Sequence, residues 1–335
     1  MVIRRKVLLL GGAGLLVFTA LALSVYLYNL YRHPLLPVAQ GQVLAVAPTV
    51  HGTLKRLHDA GLRSPTLFRL YLSWQGLDRR IQPGEIRLDS QWTMAQLAQA
   101  LVSGPRVQYR VTLIPGMRFR EALQAIQHAE KVKVTLTDAK AIAALPERLG
   151  SDKPMEGQLL PETYFYTAGT SDFELVKRAY EALWRYLNAA WPRRDADLPL
   201  KTPYEALILA SIVEKETGRA DERTQIAGVF IRRLKKGMRL QSDPTTIYGL
   251  GEAFDGNLTR ADLRRKTPYN TYRINGLPPT PIALASKASI DAVLHPAPGK
   301  ALYFVAKGDG SHEFSNTLRE HNRAVQRYQL KRSHR

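Results

Sequence analysis

Cysteine is absent from all 335 residues. That excludes thiol nucleophiles, disulfide staples and cysteine-ligated metal sites. It does not fix the compartment, because a cytosolic protein and an exported protein without disulfides both tolerate it. Acidic residues are scarce. Asp and Glu number 29 against 48 Lys and Arg, for a net charge of +19. A surface of that sign suits an anionic partner, although a high arginine count also serves plain solubility. Several catalytic signatures are missing as well. No G-x-S-x-G, Walker A or H-E-x-x-H occurs, which removes serine-elbow hydrolases, P-loop NTPases and zincins. Glu320-His321 has no second histidine at ligand spacing, and eight histidines without cysteine argue against structural zinc. Gly308-Asp309-Gly310 is too short for a nucleotide fingerprint. No metal and no cofactor is expected.

The hydrophobic content of 45% is that of a globular protein. Residues 7–28 carry neither charge nor proline. With the apolar character continuing to Leu30, residues 7–30 are long enough to span a bilayer as a helix. Arg4, Arg5 and Lys6 precede the span. Positive residues stay on the cytoplasmic side, so the rest of the chain is expected outside the inner membrane. The competing reading is a cleaved signal peptide with Ala20-Leu21-Ala22 as its processing site. Apolar residues beyond that point favour a retained anchor. The exported part then holds 45 basic and 29 acidic residues, a net charge of +16. Nucleic acid is the first partner to consider for a basic chain, but this topology argues against it. The anionic membrane surface and acidic wall polymers are the partners available there.

The most informative segment is Leu209-Ala210-Ser211-Ile212-Val213-Glu214-Lys215-Glu216-Thr217. Thr202-Pro203-Tyr204-Glu205 reads as a capping box with proline at the first helical position. Ala206 to Val213 is apolar on nearly all sides, apart from Ser211, as in a helix buried within a core. Gly218 is the expected stop. Glu214 therefore emerges where apolar surroundings and the negative end of the helix dipole both disfavour a charged carboxylate. A neutral carboxylic acid is what general acid catalysis needs. Helical geometry does not choose cleanly between the two carboxylates. Glu214 shares a face with Leu207, Ala210 and Ser211, whose last two side chains are small; Glu216 lies nearly opposite, beneath Leu209 and Ile212.

This helix is similar to the signature helix of the MltG/YceG-like endolytic murein transglycosylases. Other blocks resemble that family in the same order. They are Glu156-Gly157 with Leu160-Pro161-Glu162-Thr163-Tyr164; Leu240-Gln241-Ser242-Asp243-Pro244-Thr245 with Tyr248-Gly249; and Tyr269-Asn270-Thr271-Tyr272 with Gly276-Leu277-Pro278-Pro279 and Pro281-Ile282. Last come Tyr303-Phe304-Val305, Gly308-Asp309-Gly310, His312, Phe314 and Glu320-His321-Asn322. Together the blocks span residues 156–322. The chain departs from the family pattern twice. Ile114-Pro115-Gly116 lacks the glutamate of the usual I-P-E-G. Leu284-Ala285-Ser286 stands where an Asn-Pro-Gly turn is usual, so no contact assigned to that Asn carries over.

The fold class expected is α+β. Residues 1–6 form a cytoplasmic N-terminus, 7–30 a transmembrane helix, and 31–42 a linker with Pro34 and Pro37. Residues 43–106 form a small module, 107–331 the catalytic domain and 332–335 a basic tail. In the module, Val43 to Val46 is strand-like, Leu54 and Leu57 mark a short helix, and Leu67, Leu70, Tyr71 and Trp74 sit at helical spacing. Pro83 to Leu88 turns into a strand, and Thr93 caps a helix ending at Gly104. This order resembles the LysM-like subdomain of the family and implies glycan binding. Beyond it, Val107 to Leu113 reads as a strand and residues 117–150 as broken helix. Phe173 to Leu187 forms an amphipathic helix, and Asp221 opens another that ends at Gly237. Ala301 to Ala306 is a strand, and Asn316 to about Leu330 a last helix.

The resemblance implies cleavage of nascent peptidoglycan between N-acetylmuramic acid and N-acetylglucosamine. Glu214 would be the acid that protonates the glycosidic oxygen. The same group then acts as base on the C6 hydroxyl, closing a 1,6-anhydro ring without added water. Substrate contacts are assigned to Glu156, Glu162, Tyr164, Gln241, Asp243, Thr245, Tyr269, Asn270, Tyr272, His312, Glu320 and Asn322. Each has a plainer reading. Asp243 before proline fixes a turn equally well, tyrosines pack cores, and His321 reads as an ordinary helix histidine. Implied partners are peptidoglycan strands, inner-membrane lipid and peptidoglycan synthases. Two alternatives stay open: a hydrolase of the same bond using Glu214 with Asp243, and a non-catalytic glycan-binding scaffold.

Overall fold

The computed structural model describes residues 2–36, 38–39 and 41–330. The expected basic tail, 332–335, lies outside the described residues. The chain divides into two compact units, one comprising 1–109 with 166–169 and the other 110–165 with 170–335.

The first unit begins with helix α1 (Val2–Arg32). Residues Gly14–Arg32 of it are long and apolar enough to cross a membrane, and almost none of that stretch is buried within the protein. The helix runs two residues further than the sequence suggested, so the linker starts after Arg32. Strand β1 (Val43–Val46), helices α2 (Val50–Asp59) and α3 (Pro65–Trp74) and strand β2 (Gly84–Arg87) follow, then α4 (Met94–Ser103). The strands pair antiparallel, with Val43 opposite Arg87 and Val46 opposite Gly84. Side chains of Thr49, Ser64 and Thr93 cap the three helices, and Thr93 does so in a full capping box with Gln96. The core is Leu44, Val46, Leu57, Phe68, Leu72, Ile86, Leu97 and Leu101. Each such side chain, fully buried, contributes roughly 1.5–3 kcal/mol. Arg106 clamps the end of α4 by donating to the carbonyls of Ala100, Leu101 and Gly104. Leu70 and Trp74, by contrast, face outward.

The second unit holds most of the helices. Strand β3 (Tyr109–Thr112) leads to α5 (Phe119–Gln127), α6 (Ala139–Ala143) and α7 (Leu145–Arg148). Strand β4 (Thr163–Tyr166), which pairs with β3, precedes α8 (Asp172–Ala190). Next come α9 (Pro203–Glu216), α10 (Arg223–Lys235), α11 (Asp243–Leu250), α12 (Arg260–Arg264) and α13 (Lys287–Leu294). Strands β5 (Tyr303–Ala306) and β6 (His312–Ser315) form an antiparallel hairpin. Helix α14 (Leu318–Val325) then passes into a π-helical turn at Gln326–Leu330.

Helix α9 is the axis of this unit. Every residue from Ala206 to Val213 is buried, packed among Leu183, Phe230, Ile231, Ile290 and Val293. Ser211 is tolerated there because both its bonding roles are filled: it donates to the Ile208 carbonyl at 2.7 Å and accepts from Ile282 N at 3.0 Å. The helix start differs from the expected capping box. Thr202 accepts from Glu205 N, but Glu205 reaches past it to Lys201 N at 2.6 Å. The stop is Thr217, whose extended backbone ends the helix one residue before Gly218.

Candidate active site

Three segments converge at the end of α9. Each has a local cause. Just before α11, Gln241 adopts a left-handed backbone with φ of 53°, a costly conformation for a non-glycine residue. The bend is held from both sides: Gln241 N donates to Thr271 O at 3.2 Å, and Ser242 N to Thr271 Oγ1 at 2.9 Å. Thr245 Oγ1 secures the Ser242 carbonyl at 2.7 Å. So fixed, Ser242 donates its hydroxyl to Glu216 Oε1 at 2.5 Å. The third segment is β5, tied in by Arg233. Its buried guanidinium donates to Leu302 O and Leu240 O, both at 2.6 Å, and lies 5.1 Å over the Tyr303 ring.

These segments enclose a cleft of about 480 Å³. Glu216, Arg233, Gln241, Asp243, Tyr272 and Tyr303 line one part of it; His312, His321 and Asn322 line another. Protein atoms crowd the Glu216 carboxyl. Burial pushes its pKa up to about 7, the Asp243 charge adds to the rise, and the Ser242 hydrogen bond and Arg233 oppose it. Asp243 is itself held by the Tyr272 hydroxyl at 2.6 Å. Burial, then that bond, raise the Tyr272 phenol above its ordinary value. His312 is fixed by Glu222, which accepts from its backbone N at 2.9 Å and pairs with its Nδ1 at 2.7 Å. His321 stacks on Tyr303, with ring centroids 5.2 Å apart. Its Nδ1 is buried without a partner among the described residues, and burial lowers its pKa. It is not the satisfied helix histidine that the sequence suggested.

Glu214 stands in a different setting. Its Oε2 accepts from Ser286 N at 2.9 Å, Ser286 Oγ at 2.5 Å and Ser289 Oγ at 2.6 Å. The apolar pocket expected around Glu214 is replaced by three donors from the first turn of α13. The residue does not line the cleft. The departure at Leu284-Ala285-Ser286 thus has a structural consequence: Ser286 caps α13 and anchors Glu214.

The other expected contact residues divide. Gln241, Asp243, Tyr272, His312 and Asn322 reach the cleft with Glu216. Thr245 and Asn270 are buried and serve the scaffold. Asn270 Nδ2 donates to the carbonyls of Asp262, Leu263 and Arg265, and its Oδ1 accepts from Tyr272 N at 3.0 Å. Tyr269 packs on Tyr248 and shares a hydrogen bond with Thr280 at 2.8 Å. Tyr164 donates to Leu160 O at 2.7 Å. Glu162 pairs with Lys287. Glu320 caps α14. Glu156 accepts from Phe119 N at 2.9 Å and Tyr248 Oη at 3.2 Å, and burial raises its pKa. Arg233 and Glu222 fall outside the motif blocks, and Ser242 and Tyr303 stand within them without a site role assigned from sequence. Glu222 is marked only by being an acidic residue buried at a helix start. Among the described residues, no cluster of three His, Cys, Asp or Glu is arranged to hold a metal.

Comparison with known proteins adds a family. Residues 47–327 match the YceG-like family. The endolytic murein transglycosylase of Bacillus subtilis (strain 168) is 32% identical over 285 residues, covering 80% of this chain and 78% of that protein. The endolytic murein transglycosylase of Streptococcus pneumoniae serotype 2 is 31% identical over 222 residues, which are 62% of this chain and 40% of that protein. The crystal structure of a YceG-like protein from Listeria monocytogenes superposes with a TM-score of 0.54 at 25% identity, covering 85% of this chain and 98% of that one. With the family match running over most of its length and a Bacillus relative above 30% identity across four fifths of it, the chain belongs to the YceG-like family.

Proposed function

We propose that this protein is a membrane-anchored peptidoglycan transglycosylase, with Glu216 rather than Glu214 as its acid. The name shared by its relatives supports the reaction class. The observation that carries the residue assignment is the Glu216 carboxyl, at about 7 and open to the cleft. Near neutral pH such a group still holds a transferable proton. While Oε1 accepts from Ser242, Oε2 is left to protonate the glycosidic oxygen between muramic acid and glucosamine. The carboxylate so formed sits near Arg233, whose charge favours it. As the C1–O bond breaks and the glucosamine leaves with its new hydroxyl, that carboxylate takes the proton of the C6 hydroxyl, whose oxygen closes on C1 as the 1,6-anhydro ring. That hydroxyl is already tethered to the reacting sugar, an entropic advantage over water. Gln241, Asp243, Tyr272, His312 and Asn322 provide amide, carboxylate, phenol and imidazole groups for sugar hydroxyls. Glu214, bound to α13, positions the end of α9.

The first unit supports a glycan-binding role of LysM-like type. Its strand-helix-helix-strand order and antiparallel pairing match the expected module, and Trp74, 79% exposed, offers a flat face to a sugar. The uncharged stretch of α1 that follows Arg4, Arg5 and Lys6 supports anchoring in the inner membrane, with the chain beyond the helix outside. Inner-membrane lipid then surrounds α1, and peptidoglycan synthases working on the same strands are natural neighbours. A reporter active only in the periplasm, fused after Arg335, gives signal if this orientation holds.

The decisive experiment digests peptidoglycan strands with the full-length protein in ¹⁸O-labelled water. New ends are expected as unlabelled 1,6-anhydro-muramic residues by mass spectrometry. Labelled reducing ends would instead make the protein a hydrolase, with Asp243 as the second carboxylate. Tight glycan binding without products would make it a scaffold.

A further inference from the structure

Next to the cleft, along the same two helices, is a second depression of about 360 Å³. Glu216 and Asp243 line the first; their chain neighbours Lys215 and Pro244 line the second. Two cations face into it, Arg118 and Lys215. The Arg118 guanidinium lies 5.1 Å over the Tyr248 ring. That ring is fixed in turn by packing on Tyr269, with centroids 4.7 Å apart, and by the Tyr248 hydroxyl on Glu156. The arginine therefore rests on a rigid aromatic face. Among the described residues Lys215 has a single weak polar contact, 3.4 Å to the Gly116 carbonyl. A Cβ at position 116 would stand 3.6 Å from Lys215 Cδ and 3.8 Å from its Nζ. Because the residue is glycine, no side chain there pairs the ammonium.

The acidic groups nearby are already engaged. Glu121 also lines the depression, but its Oε2 accepts from Arg118 N at 2.8 Å and closes the cap of α5. Glu156 senses the Arg118 charge, yet its two oxygens take Phe119 N and the Tyr248 hydroxyl. Among the described residues the depression thus presents two cations against one carboxylate, Glu121, one of whose oxygens is tied to the Arg118 amide, and so keeps a net positive charge. That is the recognition chemistry of an external carboxylate, which arginine and lysine bind through charge-assisted hydrogen bonds.

We propose that this depression binds a carboxylate of the peptide stem carried by the glycan strand. The inference rests on peptidoglycan being the substrate. It makes Arg118 and Lys215 specificity residues: the enzyme senses the peptide as well as the sugar.

The test uses the full-length protein in detergent and two probes. One is an N-acetylmuramyl dipeptide ending in a free carboxylate; the other is the same compound with that carboxylate converted to an amide. Titration calorimetry is expected to show the acid binding about tenfold more tightly than the amide. Arg118→Gln and Lys215→Gln each narrow that ratio, and the double variant brings it to about one. Arg118→Lys keeps the charge and retains most of the preference, which controls for folding, as does an unchanged melting temperature. Equal binding of acid and amide by the wild type, no binding of either, or a ratio that survives the double substitution overturns the proposal. Its failure is separable from that of the catalytic reading. A protein that prefers the acid through these two residues yet leaves strands uncut fails only as a transglycosylase. One that cuts strands but ignores the carboxylate fails only here.

Discussion

Two carboxylates sit two residues apart at the end of α9, and their surroundings differ in kind. On an α-helix that spacing turns them about 200° from one another. Glu214 faces the start of α13, where two serines and a backbone amide donate to one of its oxygens. Glu216 faces the bend before α11, meets one hydroxyl, and opens on a cleft beside another carboxylate. Three donors on one oxygen hold Glu214 against the first turn of α13. Burial with a single donor and a nearby negative charge makes an acid that keeps its proton near neutral pH. Position on the same helix end does not decide a carboxylate's role; what packs against each face does.

The sharpest way to break this comparison is to remove each carboxylate's charge. Glu216→Gln is nearly isosteric and deletes the transferable proton, so cleavage of glycan strands is expected to fall about 10²–10⁴-fold or more. Glu214→Gln keeps an oxygen acceptor for the α13 donors and is expected to cost far less, with a lowered melting temperature as its main effect. Turnover measured on both variants decides it; loss at Glu214 with activity kept at Glu216 inverts the assignment.

A second measurement follows from the raised pKa. Between the ordinary carboxylate value of 4.5 and about 7, folded Glu216 holds a proton that the unfolded chain has released. The stability this contributes is full below about 4.5, declines as pH rises, and is gone above about 7. Denaturation of the wild type and of Glu216→Gln across that window should show the decline in the first and a flatter profile in the second. Parallel profiles would mean that Glu216 is not protonated in the fold. Activity should fall along the same alkaline limb.

Much of this was legible in the sequence, for reasons that also mark the limits. Helix α9 announces itself by proline at its first turn and eight apolar or small residues in a row. The strand-helix-helix-strand order of the first unit follows from the strand-like run Val43 to Val46, apolar residues at helical spacing and the turn at Pro83-Gly84. Asp243, Tyr272 and His312, expected as contacts from the motif blocks that carry them, line the cleft with Glu216. The choice between Glu214 and Glu216 was not legible. A helix buried on all sides has no polar face to show which way the chemistry lies, and the partners that distinguish the two carboxylates are distant in sequence. Ser242 is 26 residues away from Glu216, and Ser286 72 from Glu214. The capping bonds of Glu320 were not legible for a related reason: its place in a motif block does not reveal that Thr317 N and Asn316 N donate to its carboxylate. Likewise Asp243 before proline suggests a turn, yet proline at the first turn starts a helix there.

On the anchor side, Ser286→Ala sharpens the contrast. It removes one of three donors to Glu214 and the side-chain cap of α13. Ser286 N and Ser289 Oγ remain. The expected cost is about 1–3 kcal/mol of stability, read as a lower melting temperature, with turnover at permissive temperature within a few fold of wild type. An activity loss as large as that of Glu216→Gln would show that the serine-bound side takes part in the chemistry.

The smallest effect expected lies at Tyr272. Its hydroxyl donates to Asp243, and Asp243 is the charge that helps to raise Glu216. Tyr272→Phe keeps the ring against the cleft and removes only that donor. Asp243 then carries its charge without a hydrogen bond to spread it, and its field at Glu216 strengthens. A stronger negative field favours the protonated acid, so the alkaline midpoint of activity should move upward, by less than about one pH unit. The maximal rate on the acid side should change little, since the proton donor is intact. A pH–rate profile of the variant reads both quantities. A midpoint that moves down instead would mean that Asp243 does not act on Glu216 through its charge. The rise of Glu216 would then rest on burial alone, which Asp243→Asn would confirm by leaving the midpoint where it stands.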